Sequence, residues 1–179
     1  EKAGVNIQNS GIGWHEARIP TIVTSVPKKA FSWITKKLYG NVSIPIIASN
    51  RINSPEIAEE VLSENCADLV SLARPFLADS DFVRKVFENR SNEIVPRIAC
   101  NQACLDHTFS MKLTSCLVNP RACRETELNY EKVILPKRIA VVGAGPAGIS
   151  FSIVAAQRGH EVSLFDENHE IGGQLNFAK

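Results

Sequence analysis

The run Arg138-Ile-Ala-Val-Val-Gly143-Ala-Gly145-Pro-Ala-Gly148 leaves little freedom to the chain around it. Its apolar, β-branched start predicts a strand, and its glycine-rich end predicts a tight turn into a helix. The first glycine permits the turn, the second lets the backbone approach a pyrophosphate, and the third packs helix against strand. The helix start offers free N–H groups and a positive dipole end to phosphates. The helix is expected to reach about Arg158-Gly159, and a second strand, Glu161-Val-Ser-Leu-Phe, ends at Asp166. A carboxylate there can take ribose hydroxyls, so Gly143, Gly145, Gly148, Asp166 and the adjacent Glu167 are candidate cofactor-binding residues.

The first half of the chain alternates differently. Residues 4–8 read as a short strand ending in the glycine-punctuated loop Gly11-Ile-Gly-Trp-His-Glu-Ala-Arg18. Residues 28–39 read as an amphipathic helix with Ala30, Ile34 and Leu38 on one face. A strand of parallel type comes next over 42–49, ending at Asn50 and Arg51. Ser54 and Pro55 then supply an N-cap and a first-turn proline for a helix reaching about Asn65, with Ile57, Val61 and Leu62 inward. Asp68-Leu-Val-Ser-Leu is a further strand with Arg74 just past its end, and a last helix is expected over 80–89. Strand and helix in repetition with short connections predict a parallel sheet, hence an α/β fold. Loops at strand C-terminal ends carry ligand groups in such folds, which singles out His15 and Arg18. Two successive strands each deliver an arginine, and paired guanidiniums suit a phosphorylated cofactor. Solvated loop arginines are the alternative.

Between these halves lie four of the five cysteines, Cys100, Cys104, Cys116 and Cys123. An odd number with clustered spacing fits metal ligation in a reducing cytosol better than a secreted disulfide framework, so a cytoplasmic location is expected. Cys100, Cys104 and Cys116 have thiolate-ligand spacing. Cys123 completes a tetrad on paper, for an iron–sulfur cluster or equally for zinc. A net charge of +1 gives no reason to expect nucleic acid or an anionic membrane surface as a partner. No apolar run approaches the roughly 20 residues that cross a bilayer.

Six motifs in this order carry a resemblance: His15-Glu-Ala-Arg18, Asn50-Arg51, Ala73-Arg74-Pro-Phe-Leu-Ala-Asp, Cys100-Asn-Gln-Ala-Cys-Leu-Asp, Ser115-Cys-Leu-Val-Asn-Pro-Arg-Ala-Cys and Val142-Gly-Ala-Gly-Pro-Ala-Gly. Together they resemble the bacterial type of 2,4-dienoyl-CoA reductase, in the superfamily of trimethylamine dehydrogenase and old yellow enzyme. The branch rests mainly on the Trp-His-Glu-Ala-Arg loop and the Cys-Asn-Gln-Ala-Cys-Leu-Asp run. The resemblance implies an FMN-holding β/α barrel, a 4Fe–4S cluster, and a C-terminal region for FAD and NADPH. Electrons would pass from NADPH through FAD, cluster and FMN to an acyl-CoA thioester. Arg51, Ala73 and Arg74 match positions that hold FMN. His15, Glu16, Ala17 and Arg18 match a stretch lining the substrate pocket, with His15 beside the reacting enoyl system. Cys100, Cys104 and Cys116 match three cluster ligands. Gly172-Gly173-Gln174 resembles the second glycine pair of FAD-dependent reductases, which makes Gln174 a further cofactor candidate.

The fourth ligand departs from the pattern. The family opens this motif with Cys-x-x-Cys, and here the first position is Arg97. A guanidinium is cationic and has no lone pair for iron. The cluster is then lost, survives three-liganded, or recruits Cys123, a cysteine that the family carries without using it as a ligand. The organisation expected is the C-terminal part of a barrel over 1–95, an iron–sulfur segment and linker over 96–135, and the start of a nucleotide-binding domain over 136–179. With no initiator methionine and an ending inside a recognisable motif, the chain is expected to be an internal piece of a longer protein. The family's catalytic tyrosine belongs to the earlier barrel half, so this piece alone is expected to be inactive.

Overall fold

The computed structural model describes residues 2–178. It divides into two compact units, one ending at Glu125 and the other beginning at Thr126. The cysteine segment therefore packs with the first unit, where the sequence suggested a linker reaching 135.

In the first unit β1 (Gln8–Asn9), β2 (Ile46–Ala48) and β3 (Leu69–Val70) form a parallel sheet in sequence order. This is the arrangement expected of consecutive barrel strands. β1 is shorter and later than residues 4–8, and Val5 and Ile7 are exposed. Gln8 N–H donates to the Pro45 carbonyl at 2.9 Å. Pro45 has no N–H to return, so the ladder starts there.

α1 (Ser32–Leu38) starts later than residue 28, because Lys29 has φ +62° and serves tertiary contacts instead. Its amide donates to the Arg51 carbonyl at 2.8 Å, and its ammonium pairs with Glu60 and Glu64 at 3.1 and 2.8 Å. The buried face is Phe31, Ser32 and Thr35, not Ala30, Ile34 and Leu38. α2 (Pro55–Ser63) has the expected cap, the Ser54 hydroxyl accepting from Ile57 N–H. It buries Val61 against Ile46, Ala48, Ile52, Cys66 and Ala67, which form the core.

Past β3 a short helix, α3 (Arg74–Ala78), precedes α4 (Phe82–Phe87). Five residues are too few to show a period of 3.6, so nothing in the pattern marked α3. Phe76 and Phe82 meet edge to face at 6.1 Å. Between the two helices Asp79, 6% exposed, accepts from Lys85 Nζ at 2.6 Å and from the amides of Val95 and Asp81 at 2.9 and 3.0 Å. It thereby ties the chain before Arg97 to α3. α5 (Leu105–Phe109) interrupts the cysteine segment.

In the second unit β4 (Arg138–Val142) and β5 (Glu161–Phe165) pair in parallel across α6 (Pro146–Gln157), as the sequence predicted. Gly143 has φ +102°, and a Cβ on Gly148 would lie 1.9 Å from the Gly143 carbonyl oxygen. Among the described residues no helix is long and apolar enough to cross a membrane.

The clash made by Gly148→Ala cannot be relieved by a flexible side chain. The substitution should destabilise the βαβ unit by at least about 2 kcal/mol, read as faster hydrogen exchange at β4 and α6 with first-unit amides unchanged. Burial would raise the Asp79 carboxyl, but Lys85 and the two amides outweigh it and hold it below its usual range. That stabilisation is present above the unfolded value near ~4 and is lost as pH falls through the lower folded one. Asp79→Asn should cost about 1–3 kcal/mol at neutral pH and flatten the acid limb of a urea-unfolding profile.

Candidate functional site

At the C-terminal end of β2 the backbone leaves regular structure under strain. Asn50 and Arg51 both have positive φ, +71° and +56°, a conformation costing side-chain-bearing residues roughly 1–2 kcal/mol each. The turn is held from both sides. Ser49 donates to the Ser10 carbonyl, Asn50 Nδ2 to that of Ile12 at 2.8 Å, and Arg51 Nε to that of Val26 at 2.9 Å. Arg74 arrives from the next strand end, where Ala73 begins the α3 turn.

These residues surround a cavity of about 100 Å³ lined by Arg51, Ala73 and Arg74, and also by Arg97. The two arginines that the sequence singled out thus converge, and a third joins them. Arg74 Nη1 and Arg97 Nη2 both donate to Asn101 Oδ1, at 3.3 and 2.9 Å, while Asn101 Nδ2 donates to the Ile22 carbonyl at 3.1 Å. Among the described residues, none of the three guanidiniums belongs to an ion pair with a carboxylate. Burial first, then the charges of Arg97 and Arg51, push Arg74 down to about 10, which leaves it cationic at neutral pH. Burial and Arg97 lower Arg51 likewise. A cluster of unpaired, partly desolvated cations is an anion site. Asn53 Oδ1, buried in the same lining, has no protein partner and offers an acceptor to a ligand hydroxyl. This set fits the phosphate end of FMN.

His15 borders an adjoining cavity of about 340 Å³ with Trp14, Asn50, Arg74 and Leu105. Its ring packs edge-on against Phe109, centroids 5.5 Å apart. Glu16, Ala17 and Arg18 do not line that cavity. Glu16 and Arg18 are exposed, so His15 is the member of this stretch brought to Arg74.

Cys100, Cys104 and Cys116 do gather, around a cavity of about 20 Å³ that Arg97 also enters. The loop is shaped by Ala99 and Asn101, both with positive φ, and by Asn119, whose Nδ2 donates to the Leu77 carbonyl at 2.8 Å. Cys123 is exposed and outside that lining, which removes the four-cysteine zinc site and Cys123 as a replacement ligand. Among the described residues no three His, Cys, Asp or Glu side chains are placed to hold a metal ion. With Arg97 beside three thiols, the site lacks the fourth thiolate of the usual four-cysteine set for a 4Fe–4S cluster.

In the second unit Asp166 turns inward to the glycine turn. Its Oδ2 accepts from Ala144 N–H at 2.6 Å and its Oδ1 from the amide and side chain of Asn168 at 2.8 and 3.0 Å. Those bonds, led by Ala144, hold its carboxyl below the usual range. Gly172 N–H donates to the Ala144 carbonyl at 2.8 Å, so the second glycine pair folds back on the first turn. Gln174 lies just beyond it and lines a shallow cavity of about 640 Å³ with Asn168, while Glu167 is exposed. Sequence reasoning missed Asn101, Asp79 and the shared position of Arg97. The first two sit inside the family motifs but carry no charge pattern or spacing that marks them.

Residues 141–178 match the NAD(P)-binding Rossmann-like domain. The chain is 46% identical over 178 residues to a metal reductase of Desulforamulus reducens, covering 99% of this chain and 27% of that protein. It is 31% identical to a cinnamate reductase of Clostridium sporogenes, covering 97% of this chain and 26% of that protein. Among solved structures, a 2-naphthoyl-CoA reductase complex superposes with a TM-score of 0.87 at 31% identity, over 94% of this chain and 26% of the other. The chain therefore spans about a quarter of the relatives it matches. Relatives named for NADH oxidation, alkene reduction and amine dehydrogenation all match, so these likenesses reach the family and not one branch of it. Residues 3–93, just over half of the chain, match the NADH:flavin oxidoreductase / NADH oxidase family, and the chain belongs to that family.

Proposed function

We propose that this chain is the later part of an FMN-binding barrel joined to the start of an FAD- and NAD(P)-binding unit. The parent would be a flavoenzyme that uses NADPH to reduce the activated C=C bond of an enoyl thioester, with 2,4-dienoyl-CoA as the substrate class. The observation that carries this is the set of guanidiniums without carboxylate partners, Arg51 and Arg74 foremost, around a cavity at the strand ends. FMN, when bound there, supplies hydride transfer. The protein's part is to hold the phosphate with Arg51 and Arg74 and to let the Ala73 backbone approach it. His15, bordering the cavity that Arg74 shares, is positioned to donate a hydrogen bond to the thioester's conjugated acyl group. Two relatives support an acyl substrate through their names, one for naphthoyl-CoA and one for cinnamate. In the second unit the α6 N-terminus and the paired glycine turns would carry the FAD pyrophosphate.

The intact protein carrying this chain should copurify with FMN and oxidise NADPH when given a short-chain 2,4-dienoyl-CoA. Arg74→Ala should lower retained FMN by about tenfold, the loss of one charge-assisted contact. Oxidation of a secondary amine with no turnover of any thioester would overturn this reading in favour of an amine dehydrogenase. The 179-residue chain alone should show no thioester-dependent NADPH oxidation, and turnover above background would sink that expectation.

A further inference from the structure

Arg97 lies on two cavities at once, that of Arg51 and Arg74 and that of Cys100, Cys104 and Cys116. Its side chain is held toward Arg74 by their shared acceptor, Asn101 Oδ1, and its carbonyl accepts from Asn53 Nδ2 at 3.1 Å. The shared oxygen is a neutral amide, so it orients both guanidiniums without neutralising either. Burial lowers Arg97, against which negative charge on Cys104, Cys100 or Cys116 and a hydrogen bond to Cys104 act to raise it, and a guanidinium stays protonated at pH 7. Three like charges are thus gathered in one partly buried place, an arrangement that is costly until an anion enters. A phosphate monoester dianion has the charge and enough acceptor oxygens to satisfy three forks. The cysteine cavity, for its part, presents three thiols and a cation, one thiolate short of the four that usually hold an iron–sulfur cluster.

We propose that Arg97 is the third guanidinium of the phosphate pocket, and that its presence closes the cysteine cavity to a four-iron cluster. The identity of the phosphate as FMN's rests on the proposed flavin function; the anion site itself does not. Arg97 would then bind phosphate directly, at a position where a cysteine would leave Arg51 and Arg74 alone.

The test uses the intact protein carrying this chain, stripped of flavin and titrated with FMN, with riboflavin and with inorganic phosphate. Arg97→Gln should weaken FMN and inorganic phosphate by about tenfold and leave riboflavin unchanged, with Arg97→Lys between the two. Anaerobic reconstitution should leave wild type with substoichiometric iron and acid-labile sulfide. Unchanged affinity of a folded Arg97→Gln protein for both phosphates overturns the proposal, as does uptake of about four irons by wild type. Should that variant lose its native circular dichroism, the Arg97 Nε–H resonance of wild type replaces it. A shift that saturates with phosphate supports the proposal, and an unmoved signal sinks it. Arg97-dependent phosphate binding without preference for FMN over riboflavin would keep Arg97 in the pocket and reject the flavin reading. A folded wild-type protein that binds neither overturns both.

Discussion

Electrostatic repulsion among Arg51, Arg74 and Arg97 is the constraint around which the first unit is arranged. Each guanidinium is partly desolvated, and none has a carboxylate to offset it. Arranging such charges costs stability, and the surrounding structure supplies it from elsewhere. The core of Ile46, Ala48, Ile52, Val61, Cys66 and Ala67 anchors β2 and α2, so the strand end that carries Arg51 is fixed. Asp79 joins α3 to the chain leading into Arg97. Asn101 links the cysteine loop to the segment around Ile22. Four residues with positive φ, Asn50, Arg51, Ala99 and Asn101, crowd around the same cavities, and strain of this kind persists only where packing enforces it.

This arrangement changes the meaning of the cysteine segment. Spacing alone presents Cys100, Cys104 and Cys116 as metal ligands. In the structure they do share a cavity, yet the cavity is small and two cations, Arg74 and Arg97, line it with them. The segment's firmer service is structural and electrostatic. Its asparagines bridge loops, and Arg97 at its start turns to the neighbouring strand ends.

How far the fold could be read depended on whether the signal was local. β4, the glycine turn and α6 are a continuous run whose conformational demands are met by near neighbours, and they form as expected. The Ser54–Pro55 cap of α2 is local in the same way. The beginning of α1 was not legible, because Lys29 leaves helical geometry to reach Glu60 and Glu64, more than thirty residues away. α3 was too short for periodicity to show. Asp166 was legible as an acidic residue at a strand end, but not that the glycine turn's own amide would take one of its oxygens.

The sequence by itself determined the parallel α/β character and placed Arg51 and Arg74 after successive strands, from residue type and spacing along one chain. The departure at position 97 was visible through the family resemblance. Only the tertiary structure decided that Arg97 shares Asn101 with Arg74, that Cys123 lies apart from the other three, and that His15, rather than Arg18, borders the cavity. Each of these depends on which loops meet across the ends of three strands. Such contacts join residues far apart in the chain, and no periodicity or local propensity encodes them.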